Sequence, residues 1–222
     1  MGGTLTKEVE DSLARCTGCF DASTVEEHDD MPDPKTPEIS RLRRDSSQVP
    51  ATSEMLLEAA EAGDCKTVES IIAAGTVDLD AVDSVDDYTA VLAACEAGNI
   101  DVVKALHAAG ASLDVCDSYG RTPLYAAAVA GHRDVVSHLI DAGADARTLD
   151  HDGRGAFWAC CAVRRVDVAE LLLAEGKCNI DQQPAGGETA LDFAVKHGHA
   201  DVIEFLRNHG CVDQTAGRLS MG

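Results

Sequence analysis

A few groups of residues in this 222-residue chain have the types and spacing that chemistry requires. Cys16-Thr17-Gly18-Cys19 has the spacing of half a structural zinc site, but no second cysteine pair of that kind follows to complete a tetrahedral set. His197-Gly198-His199 carries two imidazoles without an acid or thiol in register, which makes a poor metal set. Cys95, Cys160 and Cys161 sit where small apolar residues recur, and a buried free cysteine behaves as a small hydrophobe. No phosphate-cradling glycine loop, nucleophile elbow or paired acid and base of recognisable spacing occurs. The expectation is a protein without catalytic residues, metal or cofactor.

Other motifs point to modification rather than catalysis. Met1-Gly2-Gly3-Thr4-Leu5-Thr6 fits the pattern for myristoylation of Gly2. One such chain binds membranes only marginally, so a second anchor is needed. The segment around Gly2 has no polybasic patch, which leaves palmitoylation of Cys16 and Cys19 to supply that anchor. Leu42-Arg43-Arg44-Asp45-Ser46 resembles a basophilic kinase substrate, and Thr36-Pro37 a proline-directed one; a phosphate on Thr36 or Ser46 would change local charge.

Charge narrows the partners. The net charge is −21, from 18 basic and 39 acidic residues. Residues 1–52 carry 6 basic and 11 acidic groups, residues 53–118 carry 2 and 14, and residues 119–222 carry 10 and 14. The middle block should repel phosphate backbones and anionic headgroups, which disfavours nucleic acid and favours a basic protein face. No apolar run reaches the ~20 residues that span a bilayer, and the first residues lack the cationic start and hydrophobic stretch of a secretory signal. The nine cysteines are odd in number and not spaced as a disulfide framework. A cytoplasmic protein is expected, held at the cytosolic face of a membrane if Gly2 is acylated.

The elements that would position these residues repeat. Gly63, Gly98, Gly131, Arg164 and Gly198 form one series, and Gly75, Gly110, Gly143, Gly176 and Gly210 form another, twelve residues on. Both advance by 35, 33, 33 and 34 residues, so one supersecondary unit recurs. The third unit is the clearest. Asp117 and Gly120 shape a turn, Thr122 caps a helix that Pro123 begins, and Gly131 ends it in a left-handed conformation. A second helix follows, with Val135, Val136, Leu139 and Ile140 on its apolar side, and Gly143 closes it.

Thr122-Pro123-Leu124, Gly131-His132, Val135-Val136 and Gly143-Ala144 resemble the ankyrin repeat, and the likeness spans roughly residues 53–213 in five registered copies. It implies an all-α solenoid of helix-turn-helix units with hairpin-like loops: 53–83, 84–116, 117–149, 150–183 and 184–213. Before them lie a segment over 1–21, with Leu5, Val9 and Leu13 on one face of a short helix, and a disordered linker over 22–52 that holds four of the six prolines. Residues 214–222 form a tail. Glu54, Glu58 and Glu61 give the first unit the polar face of a start cap, and Glu204, Arg207 and Asn208 do the same for the last.

The resemblance also implies a use, since hairpin tips and first helices line the concave face by which such proteins hold partners. The positions that match are Asp86, Tyr88 and Glu96 in unit two, Tyr119 and Arg121 in unit three, and His151, Asp152, Arg154 and Trp158 in unit four. Tyr, Trp and Arg are the types enriched at binding hot spots. Unit four departs from the pattern: Gly155-Ala156 replaces Thr-Pro, Arg164 replaces glycine, and Trp158 stands where the pattern has His. The expected function is a non-catalytic, monomeric adaptor for a protein partner. The alternative is a regulatory or inhibitory subunit whose acidic first units cover a basic enzyme surface.

Overall fold

A computed structural model of the chain describes residues 52–83, 86–175 and 178–211. Among these residues ten helices follow one another in pairs: α1 (Ser53–Glu61) and α2 (Cys65–Ala74), α3 (Ala90–Ala97) and α4 (Ile100–Ala108), α5 (Pro123–Ala130) and α6 (Arg133–Asp141), α7 (Ala156–Ala162) and α8 (Val166–Ala174), α9 (Ala190–His197) and α10 (Ala200–Asn208). The chain divides between Ala51 and Thr52. The segments expected over 1–21, over most of 22–52 and over 214–222 lie outside the described residues, as do Gly176, Gly2, Cys16, Cys19, Thr36 and Ser46.

Local chemistry sets the helix starts. The hydroxyls of Thr52, Thr89, Thr122 and Thr189 accept from the backbone N–H groups of Met55, Leu92, Tyr125 and Asp192, each three residues on. Each thereby satisfies one of the donors that a helix N-terminus leaves open. Asp192 returns the favour to the Thr189 N–H, completing a capping box. Unit four has no side-chain cap at Gly155. A β-carbon there would come within 2.7 Å of Gln182 Oε1, and the Gln182 amide donates to the Gly153 carbonyl at 2.7 Å. The glutamine that leads into the fifth unit fills the space that a threonine side chain would need.

The pairs stack in sequence, each against its neighbour. First helices pack on first helices (α1–α3–α5–α7–α9) and second helices on second helices, the first set more closely than the second. Alanine explains the difference: Ala90, Ala93, Ala94, Ala126, Ala127, Ala128, Ala156 and Ala159 are all buried on the first helices. On the second helices Leu106, Leu139, Leu172 and Leu206 recur in one buried column, where truncation of a leucine to alanine typically costs about 2–5 kcal/mol. The start-cap and end-cap glutamates and their polar neighbours are exposed.

A second device locks the units together. In units two, three and four the residue that opens the second helix reaches back to the preceding unit's first helix and bonds its last carbonyls, the groups that no intrahelical donor serves. Asn99 Nδ2 donates to Ala60 O at 2.9 Å and to Glu61 O at 3.0 Å. His132 Nε2 lies 3.0 Å from Glu96 O; a carbonyl only accepts, so this nitrogen carries the proton. Arg165 Nε donates to Val129 O at 3.4 Å. The reach passes over the inter-helix glycine, where there is no room for a side chain: a β-carbon on Gly98 would lie 2.5 Å from the His132 ring.

Replacing Gly98 with alanine therefore combines two costs. A non-glycine residue at φ +78 costs roughly 1–2 kcal/mol, and eviction of the His132 ring forfeits about 1 kcal/mol of hydrogen bonding. Gly198→Ala incurs only the first, because its β-carbon would meet nothing within 4 Å. Urea unfolding of the two variants should find Gly98→Ala the less stable by about 1 kcal/mol or more; equal losses would show that the cross-unit bond adds nothing.

Candidate functional site

Units two, three and four each begin with a hairpin finger, organised by an aspartate that turns inward. In unit three, Asp117 Oδ1 accepts from the N–H groups of Tyr119 at 3.0 Å and Arg121 at 2.8 Å. Its Oδ2 takes the Arg121 guanidinium at 2.6 Å. Asp150 does the same for the N–H groups of Asp152 and Arg154 in unit four, and Asp83 for those of Asp86 and Tyr88 at the entry to unit two. Burial raises the Asp150 carboxyl above its ordinary value, while the bond to the Arg154 N–H opposes the shift.

The tips are joined across units by one backbone bond at each junction. Ser118 N donates to Asp86 O at 2.9 Å, His151 N to Tyr119 O at 3.0 Å, and Ala185 N to Asp152 O at 2.9 Å. This ladder sets Asp86, Tyr119 and Asp152 at equivalent places along one row, and all three are exposed. Tyr119 has 43% of its surface open, with the Arg121 guanidinium 4.9 Å from its ring centroid.

On the returning arm three of the candidate contact residues form a strip in register. Tyr88, Arg121 and Arg154 recur at intervals of 33 and 33 residues, and Glu188 follows 34 further on. The Tyr88 hydroxyl hydrogen-bonds to Glu96, on the last turn of α3. The Arg154 guanidinium pairs with Asp152 at 3.1 Å and lies 5.2 Å from the Trp158 ring centroid. Glu188 pairs with Lys196 at 3.0 Å, which repeats the Tyr88–Glu96 spacing of eight residues. His151 is exposed at the tip, and its ring fills the space that a β-carbon on Gly120 would need.

Trp158 differs from its neighbours in the strip. It is 5% exposed, its indole N–H donates to Glu188 O at 3.1 Å, and its ring meets Phe193 edge-on with centroids 5.1 Å apart. Its role at the surface is to hold Arg154 in place. Sequence reasoning also missed Glu188, Lys196 and the stacked pair Phe193–His197, whose centroids are 4.2 Å apart. Extending the 33-residue step by one more unit would have found Glu188; the aromatic pair carried no such signal.

Unit four's other departure also has a partner. Arg164 adopts φ +63, and its guanidinium pairs with Asp201 at 3.1 Å. Its side chain stands where the glycines of other units leave a path, and His199 Nδ1 is correspondingly buried without a hydrogen bond. The thiols are kept protonated by burial: Cys95 is pushed up to about 12 and Cys160 well above its usual value. Among the described residues no group of three or more His, Cys, Asp and Glu is arranged to hold a metal, and no helix is long and apolar enough to cross a membrane.

A repeated helical hairpin, stacked in register and carrying fingers at one end, defines the class of fold. The family model described as ankyrin repeats (3 copies) matches residues 56–150 and again residues 135–216. The matches cover well over half of the chain, and the protein belongs to the ankyrin-repeat family. None of the curated proteins matches the chain. Ankyrin repeats are in general protein–protein interaction modules, typically without catalytic activity.

Asp117 is 5% exposed and gathers three hydrogen bonds, one from a guanidinium. Asp117→Ala should cost about 2–3 kcal/mol, because charge-assisted bonds are lost and buried donors are left open. Thermal unfolding monitored by circular dichroism measures this; a loss below about 0.5 kcal/mol, the usual scale of a surface change, would mean that the finger holds its shape without the carboxylate.

Proposed function

We propose that this chain is a non-catalytic adaptor that holds a protein partner along its fingers. The observation that carries the reading is the exposed row Asp86–Tyr119–Asp152, fixed by backbone bonds and backed by the Arg121 and Arg154 guanidinia. A rigid surface loses little conformational freedom on binding, so aromatic and arginine contacts there translate well into affinity. Two of the three residues in the row are carboxylates, which favours a basic partner segment. Tyr88, Glu96 and His151 flank the row, and Trp158 supports it from beneath.

An acyl chain on Gly2, with Cys16 and Cys19 as the second anchor, would hold this adaptor at the cytosolic face of a membrane. Phosphates on Thr36 and Ser46 would change charge near that anchor. A second reading, a regulatory subunit that covers a basic enzyme surface, is favoured by the exposed Asp78, Asp86, Asp87 and Asp114 of the acidic units.

Full-length chain with Tyr119 and Arg121 both replaced by alanine should retain its fold and lose at least tenfold in partner affinity, as befits two hot-spot residues. Quantitative capture of partners by wild type and variant measures this, and undiminished capture would remove the fingers as the binding surface. Affinity that falls steeply between 50 and 300 mM salt is expected of a basic partner, the feature that the two readings share. Separately, Gly2→Ala should abolish both the acyl mass increment in a eukaryotic host and membrane association; a variant that stays in the membrane fraction ends the tethering proposal.

A further inference from the structure

We propose that the contact between His107 and His138 is an acid-sensitive joint between the second and third units. His107 lies in the last turn of α4 and His138 in the last turn of α6. The rings meet edge-on across the junction, with centroids 5.5 Å apart and planes at 69°. His138 Nε2 is buried and has no hydrogen-bond partner. A neutral pair tolerates this arrangement, because one imidazole edge can rest against the face of the other ring. A doubly protonated pair does not, since two cations at this separation repel and the buried His138 Nε2 has no hydrogen-bond partner to take up its charge.

The charged surroundings deepen that asymmetry. From α4 the pair is faced by Lys104, a third cation, and from α6 itself by Asp141. The third element packed on α6 within its own unit, α5, carries no charged residue. On α8, Asp167 and Glu170 are exposed, and the Asp167 carbonyl is occupied by Arg133. One carboxylate is thus set against three groups that are cationic at low pH. Burial, followed by His107 and Lys104, holds His138 below its usual value, and Asp141 only partly compensates.

The sign follows from linkage. A histidine that binds its proton less readily when folded stabilises the neutral-pH fold, and stability is complete above the unfolded value of about 6.5. Stability declines as pH falls through that value and continues to decline until the folded group is itself protonated. The loss falls on α4–α6, on the side of the stack where units pack less closely. The first helices and the Ser118–Asp86 bond across the same junction carry no imidazole pair, so they act as the hinge. Acid therefore loosens the second-helix side of this junction ahead of general unfolding.

Two measurements on the full chain test this. In an NMR titration of the histidine rings, His138 should titrate below the ordinary value and move up toward it in His107→Gln. Hydrogen exchange of the α4 and α6 amides, corrected for the intrinsic effect of pH, should accelerate by about threefold or more between roughly pH 7.5 and pH 5.5. One proton bound differently by the closed and open states can shift their balance by up to about tenfold for each step in pH, so this is a modest share of the limit. His107→Gln alone, at a half-exposed position, should reduce that acceleration while α9 and α10 behave as in the wild type. A His138 that titrates normally and ignores His107→Gln overturns the proposal, as does exchange in α4 and α6 that is no more acid-sensitive than in α1 and α2, which carry no histidine.

Discussion

The hydrogen bond that crosses the first three junctions, from the opening residue of a second helix to the terminal carbonyls of the preceding first helix, is the contact on which the stack depends. Hydrophobic burial alone would let neighbouring units slide, because alanine faces and a leucine column are tolerant of small shifts. A directional bond to a named carbonyl fixes the offset. It also serves two needs at once, since the carbonyl would otherwise lack a partner and the side chain would otherwise lie open. Asn99, His132 and Arg165 are chemically unlike, yet each presents a donor at the same reach. What the position requires is an N–H on a side chain of sufficient length, together with a neighbour that has no β-carbon.

That requirement makes unit four intelligible. Arg164 cannot provide the open path, so the junction with unit five gives up the inner bond and uses an outer one, guanidinium to Asp201. An exposed pair of this kind contributes about 0–1 kcal/mol, and the arginine's left-handed backbone costs roughly 1–2 kcal/mol. The junction recovers elsewhere. Gln182 enters the space above Gly155, Trp158 donates across to Glu188, and Phe193 packs against the indole. Two departures that look like losses within unit four are accommodations to unit five, because in a linear array each interface belongs to two units.

The repeat, the helix pairs, the Thr122 cap, the left-handed Arg164 and the polar end units were all legible in the sequence, since each depends on residues close together in the chain. The cross-unit contacts were not. In the sequence His132 merely follows a glycine; its bond to Glu96 O joins groups 36 residues apart. Trp158 has the composition of a hot spot and is nonetheless buried, because Phe193 and Glu188 come from the next unit. The family likeness pointed to Tyr88, Tyr119, Arg121 and Arg154. It could not show that Asp117 and Asp152 hold the two arginines, or that the tips are bonded to one another.

Those bonds decide what a finger surface can recognise. Arg121 and Arg154 are each held by a carboxylate of their own finger and laid over an aromatic ring. In the binding role proposed for the fingers, a visiting molecule would meet flat guanidinium–aromatic faces rather than long, mobile cations, and would not need to order them on arrival. The carboxylates at the tips repel acidic visitors from a distance, and the stacked faces reward close fit. On that proposal, charge would govern which molecules approach, and the aromatic and planar contacts how long they remain. Both functions require that the row of tips keep its spacing, and that spacing is set by the same junctions that hold the helices in register.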